Sequence, residues 1–112
     1  MLVWIFEDNL MWSARLAKSV QALGHEAVVL SAVPAEGAGD VAILNLGSGR
    51  LPGAELAPLL KARGVFTIAH AGHKEKALLE VGRVAGCDRI ATNSELTFKL
   101  EGLLAEAGKA RD

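Results

Sequence analysis

The sequence has little of several features that mark particular classes of protein. It contains one cysteine, Cys87, so no disulfide can form within the chain, and a reducing cytoplasm is the expected location. No uncharged run is long enough to span a bilayer, and Glu7 and Asp8 interrupt the N-terminal apolar run, so we expect neither a membrane segment nor a signal peptide. The net charge of -1 lacks the basic excess of nucleic-acid-binding proteins, and we expect no such partner.

Motifs for nucleotide chemistry and nucleophilic catalysis are also missing. There is no Gly-x-Gly-x-x-Gly, and the segment 47–49 (Gly-Ser-Gly) lacks the length and the lysine of a P-loop. No serine lies in a Gly-x-Ser-x-Gly elbow. Aromatic residues make up 4% of the chain and none is among the residues that directly follow the predicted strands, which disfavours a flavin. Cys87 is expected to be a buried structural thiol.

What the sequence does contain is an alternation of short apolar runs with segments of helical periodicity. We predict strands over 2–6, 25–30, 41–44, 65–69 and 89–91, and helices over 12–23, 54–63, 74–84 and 94–107. In the third helix Ala77, Val81 and Val84 form the predicted core face, and Ser94 is the predicted N-cap of the last helix. Pro58 is placed near the first turn of the second predicted helix.

This alternation predicts an α/β fold with three layers. Five parallel strands would form one sheet in the flavodoxin-like order 2-1-3-4-5, with helices on both faces. The segment 31–39 holds too many prolines and glycines for a full helix, so the helix after the second strand is short or missing. We expect a single domain over 1–112, with a loose tail at 108–112.

Polar residues follow the predicted strands and would share the carboxyl edge of the sheet, the usual ligand edge of such folds. They are Glu7, Asp8, Asn9, Ser31, Asn45, His70, Thr92 and Asn93. Glu7 and Asp8, with an oxygen ligand from Asn45, would suit Mg²⁺. Solvation of the turn, with Asp8 or Asn9 capping the next helix, explains the same residues without a ligand. His70 and His73 have zinc-ligand spacing but no third ligand, so zinc is not expected.

In these residues the chain resembles the response-regulator receiver domain, the CheY-like phosphoacceptor family, over essentially its whole length. The acid pair that follows the first strand in that family matches Glu7 and Asp8. The family's third-strand motif, an acid, four residues and the phosphoacceptor, matches Asp40 to Asn45. The Gly-x-Glu-Leu opening of its next helix matches residues 53–56. The resemblance implies a signalling protein with the fold predicted above.

The chain departs from that family at the positions that carry phosphotransfer. Asn45 stands where the family has its aspartate nucleophile, and a neutral amide cannot form an acyl phosphate. Thr92 replaces the family's lysine, His70 replaces its hydroxyl residue, and Arg89 replaces its aromatic switch. The resemblance therefore implies a degenerate receiver that is not an enzyme and has no cofactor beyond a possible Mg²⁺ at Glu7 and Asp8.

Receivers of this family act through the surface around their fourth helix, fifth strand and fifth helix. Here that surface would comprise residues 74–84, Arg89 and 94–104. Phe98 is the expected anchor for an unidentified protein partner or a second copy, because it lies off the predicted core stripe of the last helix, which consists of Leu96, Leu100, Leu103 and Ala107. The alternative is a small-ligand or Mg²⁺-binding protein, or an enzyme, that uses the strand-end pocket.

Overall fold

A five-stranded parallel sheet runs through the centre of the protein, as seen in the computed structural model, which describes residues 1–111. The strands are β1 Leu2–Phe6, β2 Glu26–Val29, β3 Val41–Asn45, β4 Phe66–Ala71 and β5 Arg89–Thr92; the helices are α1 Leu10–Ala22, α2 Gly53–Lys61, α3 Lys76–Val84, α4 Asn93–Phe98 and α5 Leu100–Arg111. The sheet order is β2-β1-β3-β4-β5, which confirms the predicted topology. No helix in the described part of the chain is both long and apolar enough to cross a bilayer.

The three central strands are buried on both faces, which explains why β1, β3 and β4 are almost continuously apolar in sequence. Ile5, Ile43 and Ile68 stand side by side in register and belong to the core beneath α1, α4 and α5. Phe6 and Leu44 point to the opposite core, beneath α2 and α3. The sheet thus lies between two helix layers, and the carboxyl ends of its strands meet at one edge of this sandwich.

No helix forms between β2 and β3, as predicted from the prolines and glycines of this segment. Gly39 lies so close to Trp4 that an added Cβ would stand 2.9 Å from the indole ring, so only glycine allows this approach. The guanidinium of Arg63 donates hydrogen bonds to the carbonyl oxygens of Pro34, at 2.6 Å, and Gly37, at 3.1 Å. These contacts hold the segment against the sheet in place of a helix.

Some predicted helix details are wrong. The cap before α4 is Thr92, not Ser94, and the helical stretch after β5 is interrupted at Lys99, which divides it into α4 and α5. Pro58 lies in the second turn of α2, not its first. Residues 108–111, expected to be loose, continue α5, while residue 112 lies outside the described chain.

The predicted core face of α3 is also wrong. Val84 is 74% exposed and Val81 is 46% exposed, whereas the buried residue of the helix is Gly82. A Cβ on Gly82 would stand 2.7 Å from a methyl carbon of Leu46 and 3.0 Å from one of Ile90. The close approach of α3 to the sheet at this glycine turns the two valines outward.

Candidate functional site

A cleft of about 380 Å³ opens at the carboxyl edge of the sheet. Its lining residues are Glu7, Asp8, Asn9, Trp12, Asn45, His70 and Asn93. Six of these seven are among the polar residues that the sequence placed at this edge. The seventh, Trp12, was predicted only as the first residue of the first helix, although its position in the first turn after Asn9 brings its indole to the same edge.

The central row of the cleft follows from strand register. Residues on one face of a strand recur every second position, so Glu7, Asn45 and His70 extend the row of isoleucines that lies two residues earlier. Asn45 and His70 are direct partners in the β3–β4 ladder. The row passes from buried isoleucines to polar side chains where the strands end, and this transition creates the site.

Both ends of the Asn45 amide are engaged. Its Nδ2 donates a 2.8 Å hydrogen bond to Oε1 of Glu7, and its Oδ1 accepts a 2.8 Å hydrogen bond from the backbone N–H of Gly47. The other oxygen of Glu7 accepts the backbone N–H of Asn9 at 3.2 Å. Asn45 thus stabilises the buried carboxylate of Glu7 with a neutral donor and fixes the first turn after β3.

Asp8 is exposed and is held by the loop that follows β3. Its Oδ2 accepts a hydrogen bond from Oγ of Ser48 at 2.8 Å and a longer one from the N–H of Arg50 at 3.4 Å. The Ser48 bond is the main reason why the pKa of Asp8 lies below its ordinary value; desolvation opposes it, and the Arg50 bond lowers the pKa further. Asp8 therefore brings a negative charge to the rim of the cleft.

Asn9 caps the helix that begins beside the cleft. Its Oδ1 accepts the backbone N–H of Trp12 at 2.9 Å, as an N-cap residue does, and so it satisfies one of the free donors at the start of α1. This confirms the capping role that was one of the two interpretations for this stretch.

His70 is the most deeply buried polar side chain of the cleft, with 1% exposure. Its burial lowers its pKa, against the opposing effects of the Asn93 hydrogen bond and the Glu7 charge, so the imidazole is neutral at neutral pH. Nδ1 lies 2.7 Å from Oδ1 of Asn93 and carries the hydrogen in that bond. Nε2 then keeps its lone pair.

The Nε2 atom of His70 faces the cleft. It makes no hydrogen bond within residues 1–111, and the described side chains include no fully buried nitrogen or oxygen without a partner. It follows that Nε2 keeps a small exposed area, and the side on which His70 is exposed is the cleft that it lines. The site therefore presents an acceptor atom on a rigid, buried side chain.

Thr92 does not line the cleft. Its Oγ1 accepts the N–H of Glu95 at 3.1 Å, and its own N–H donates to Oε1 of Glu95 at 3.0 Å, which completes a capping box at the start of α4. The backbone N–H of Thr92 lowers the pKa of Glu95 through this bond. The spacing Thr-x-x-Glu was visible in the sequence and was the signal for this cap.

The other candidate residues lie away from the cleft. His73 is exposed, Cys87 is half-buried with a pKa raised by desolvation, and Arg89 pairs with Glu106 at 3.3 Å. Phe98 is 82% exposed on α4. These positions leave Arg89 and Phe98 on a surface that is separate from the strand-end residues.

The residues present do not fit a magnesium site as they are arranged. Asn45 turns its NH₂ group toward Glu7, and its oxygen accepts the N–H of Gly47, so no amide oxygen joins Glu7 and Asp8 as a ligand. Within residues 1–111 no three His, Cys, Asp or Glu side chains are grouped to hold a metal ion. Mg²⁺ at Glu7 and Asp8 stays a prediction, and no chemistry is derived through it.

Comparison with known proteins finds a likeness in structure. No protein-family model and no curated protein matches the chain. The receiver domain of the Francisella response regulator 1452 matches with a TM-score of 0.81 at 14% identity, covering 99% of this chain and 98% of that one. The receiver domain of TorR, the response regulator of the TMAO respiratory system, matches with a TM-score of 0.76 at 22% identity, covering 95% and 98%.

A third solved structure, the BeF3-activated receiver domain of DrrB, matches with a TM-score of 0.81 at 15% identity, covering 96% of this chain and 97% of that one. At such identities the likeness concerns the fold. The chain therefore has the CheY-like receiver fold, as the resemblance in its sequence predicted.

Proposed function

We propose that this chain is a receiver-type signalling module that binds another protein, or a second copy of itself, without aspartyl phosphorylation and without enzymatic activity. The observation that carries the proposal is Asn45 at the phosphoacceptor position of a receiver fold. Its amide cannot attack a phosphoryl donor, and both its polar atoms already serve the structure. The single cysteine of the chain is compatible with a signalling role in a reducing cytoplasm.

The charge of the cleft supports the loss of phosphotransfer. Glu7 and Asp8 line it, and no lysine or arginine is among its lining residues. A phosphoryl group would bring further negative charge beside two carboxylates, and the lining of the cleft offers no cationic side chain to offset the repulsion. The cleft as built is unsuited to an anionic substrate.

The proposed partner surface consists of α3, β5 and the α4–α5 stretch. Phe98, with four-fifths of its surface exposed, is its largest exposed apolar side chain, and Val81 and Val84 add apolar area on α3. Aromatic side chains are frequent anchors of protein interfaces because one ring buries a large apolar area. Arg89 and its partner Glu106 supply charge beside them.

Labelling with acetyl phosphate in the presence of Mg²⁺ tests the first part of the proposal. Intact-mass analysis is expected to show no phosphoryl adduct on the natural chain. The variant Asp8→Asn is the control, because an adduct that survives this change would come from another site. An Asp8-dependent adduct on the natural chain would overturn the proposal.

Substitution of the anchor tests the second part. Phe98→Ala is expected to abolish self-association in sedimentation, or binding of a purified partner, while leaving thermal stability unchanged because the ring is exposed. Leu59→Ala removes an exposed apolar side chain from α2 and is the matched control. Equal association by both variants would contradict a role for Phe98.

A second candidate function is ligand binding in the cleft. One observation favours it, the accessible Nε2 of His70 on an otherwise buried side chain. A melting shift caused by a ligand and lost in both Asp8→Ala and His70→Ala would support this function.

A further inference from the structure

We infer that the strand-end cleft binds an organic cation, a primary ammonium or guanidinium group, supplied by a small amine or by a lysine or arginine side chain of another protein. The inference goes beyond the proposed signalling role, since it concerns the cleft and assigns it a ligand class. It rests on three features of the lining residues: a buried carboxylate without a cation, an accessible imidazole nitrogen and an indole ring.

Glu7 is a buried carboxylate without a cationic partner. It is 4% exposed, and its two hydrogen-bond donors, the amide of Asn45 and the N–H of Asn9, are both neutral. The ion pairs of the described chain are Lys61–Asp88, Arg83–Glu80 and Arg89–Glu106, so none involves Glu7 or Asp8. Because buried charges in proteins are normally paired, a cation from outside would complete this site.

His70 supplies an independent observation. Its side chain is almost wholly buried, one nitrogen is fixed by Asn93, and Nε2 faces the cleft without a partner. The nitrogen of a neutral imidazole that carries no hydrogen, here Nε2, accepts a hydrogen bond and cannot donate one. An ammonium group carries three donors and a guanidinium five, so either can bond Nε2 and a carboxylate at once. An anion would be repelled here by the negative charges of Glu7 and Asp8.

Trp12 adds an aromatic surface to the same cleft. The face of an indole ring attracts cations, and tryptophan is the strongest of the side chains in this respect. A metal ion is a poorer match than an organic cation, because the described residues hold no group of three metal-ligating side chains. The cleft volume of about 380 Å³ falls within the range of small-molecule sites.

The test is an amide NMR titration of the full chain with butylammonium chloride, paralleled by 1-butanol, which has the same number of heavy atoms and no charge. Saturable shifts at Asn9, Asn45, His70 and Asn93 with the ammonium and none with the alcohol are expected. Equal shifts with both compounds, ammonium shifts outside the cleft, or saturation by Mg²⁺ with no response to ammonium would overturn the inference.

Two variants sharpen the test. Glu7→Gln removes the buried charge and should weaken butylammonium binding about tenfold or more, since a buried charge pair would lose one partner. Glu80→Gln removes an exposed carboxylate on α3 and should bind as the natural chain does. If Glu7→Gln does not fold, Asp8→Asn at the exposed rim of the cleft replaces it as the test, and this variant is also expected to weaken butylammonium binding. Unchanged affinity in a folded variant of either residue contradicts the inference.

Further ligands distinguish the source of the cation. Tighter binding of Nα-acetyl-lysine amide or Nα-acetyl-arginine amide, whose side chains keep their charge, than of putrescine indicates a protein side chain. The reverse order indicates a free amine. None of these titrations depends on acetyl phosphate labelling or on Phe98. Failure of the cation site is therefore distinct from failure of the proposed signalling role.

Discussion

At the scale of single residues, the amide of Asn45 determines the chemistry of the cleft. The Asn45 amide both lacks nucleophilic character and supplies the neutral donor that Glu7 needs. The lack of a nucleophile at position 45 is predictable from the sequence, because the residue type alone determines it. The hydrogen bond to Glu7 depends on a 2.8 Å contact between side chains that are 38 positions apart, and no local pattern encodes such a contact.

Asn45→Asp is expected to lower the free energy of unfolding at neutral pH by about 2 kcal/mol, because a second carboxylate would face Glu7 in place of a donor. Urea denaturation measures the change. The loss should shrink at low pH and on addition of Mg²⁺, which both relieve the repulsion. Asn45→Ser removes the amide without adding charge, so it separates the lost hydrogen bond from the repulsion. Equal losses at all pH values would contradict this account.

His70 makes stability depend on pH. Burial lowers its pKa in the folded state, so the unfolded chain binds more protons below the ordinary histidine value of about 6.5. The contribution is fully present above that pH and is lost as pH falls toward the lowered folded value. The slope cannot exceed about 1.4 kcal/mol per pH unit, the limit for one proton.

The measurement is urea denaturation between pH 7 and pH 5 of the natural chain and of His70→Gln. The natural chain is expected to lose stability more steeply than the variant as pH falls. His73→Gln, at an exposed site, is the matched control. Parallel slopes for the natural chain and His70→Gln would show that the buried imidazole is not the group responsible.

At the scale of secondary-structure elements, strands were predicted better than helix ends. The central strands are apolar on both faces, so their composition alone identifies them. Helix faces depend on how closely each helix approaches the sheet, and periodicity does not report this. Gly82 has no side chain to signal burial, and yet it sets the contact of α3 with Leu46.

The capping box of α4 offers a test at this scale. Thr92→Ala removes the acceptor for the N–H of Glu95 and is expected to cost about 1 kcal/mol of unfolding free energy. Thr97→Ala is the matched control, because Thr97 is exposed and its hydroxyl only donates to the carbonyl of Asn93. A thermal or urea unfolding series measures both, and a smaller loss in Thr92→Ala than in Thr97→Ala would show that the cap has no energetic role.

At the scale of the whole molecule, the irregular segment 31–40 takes the place of a helix between β2 and β3. The exposed guanidinium of Arg63 donates hydrogen bonds to backbone carbonyl oxygens of this segment. Exposed hydrogen bonds of this kind contribute little to global stability, but they decide how often a segment opens locally. The sequence predicted the missing helix from its prolines and glycines, whereas the role of Arg63 required the structure.

Arg63→Ala is expected to leave the global unfolding free energy within about 1 kcal/mol of the natural value and to speed hydrogen exchange of the amides in 31–40. Hydrogen exchange read by mass spectrometry measures the local change. Arg15→Ala, an exposed arginine on α1, serves as the control for loss of surface charge. Unchanged exchange in Arg63→Ala would mean that other contacts hold the segment.

The position of α5 also has a consequence for how the chain matures. Leu100, Leu103 and Leu104 pack against the same core as Val3 and Ile5, so the beginning of the chain is covered by residues made about a hundred positions later. During synthesis one side of the sheet has no complete cover until α5 leaves the ribosome. Long-range closure of this kind is slow because the intervening loop must be ordered first. The side of the sheet that carries Val3 and Ile5 is therefore completed only when α5 folds onto it.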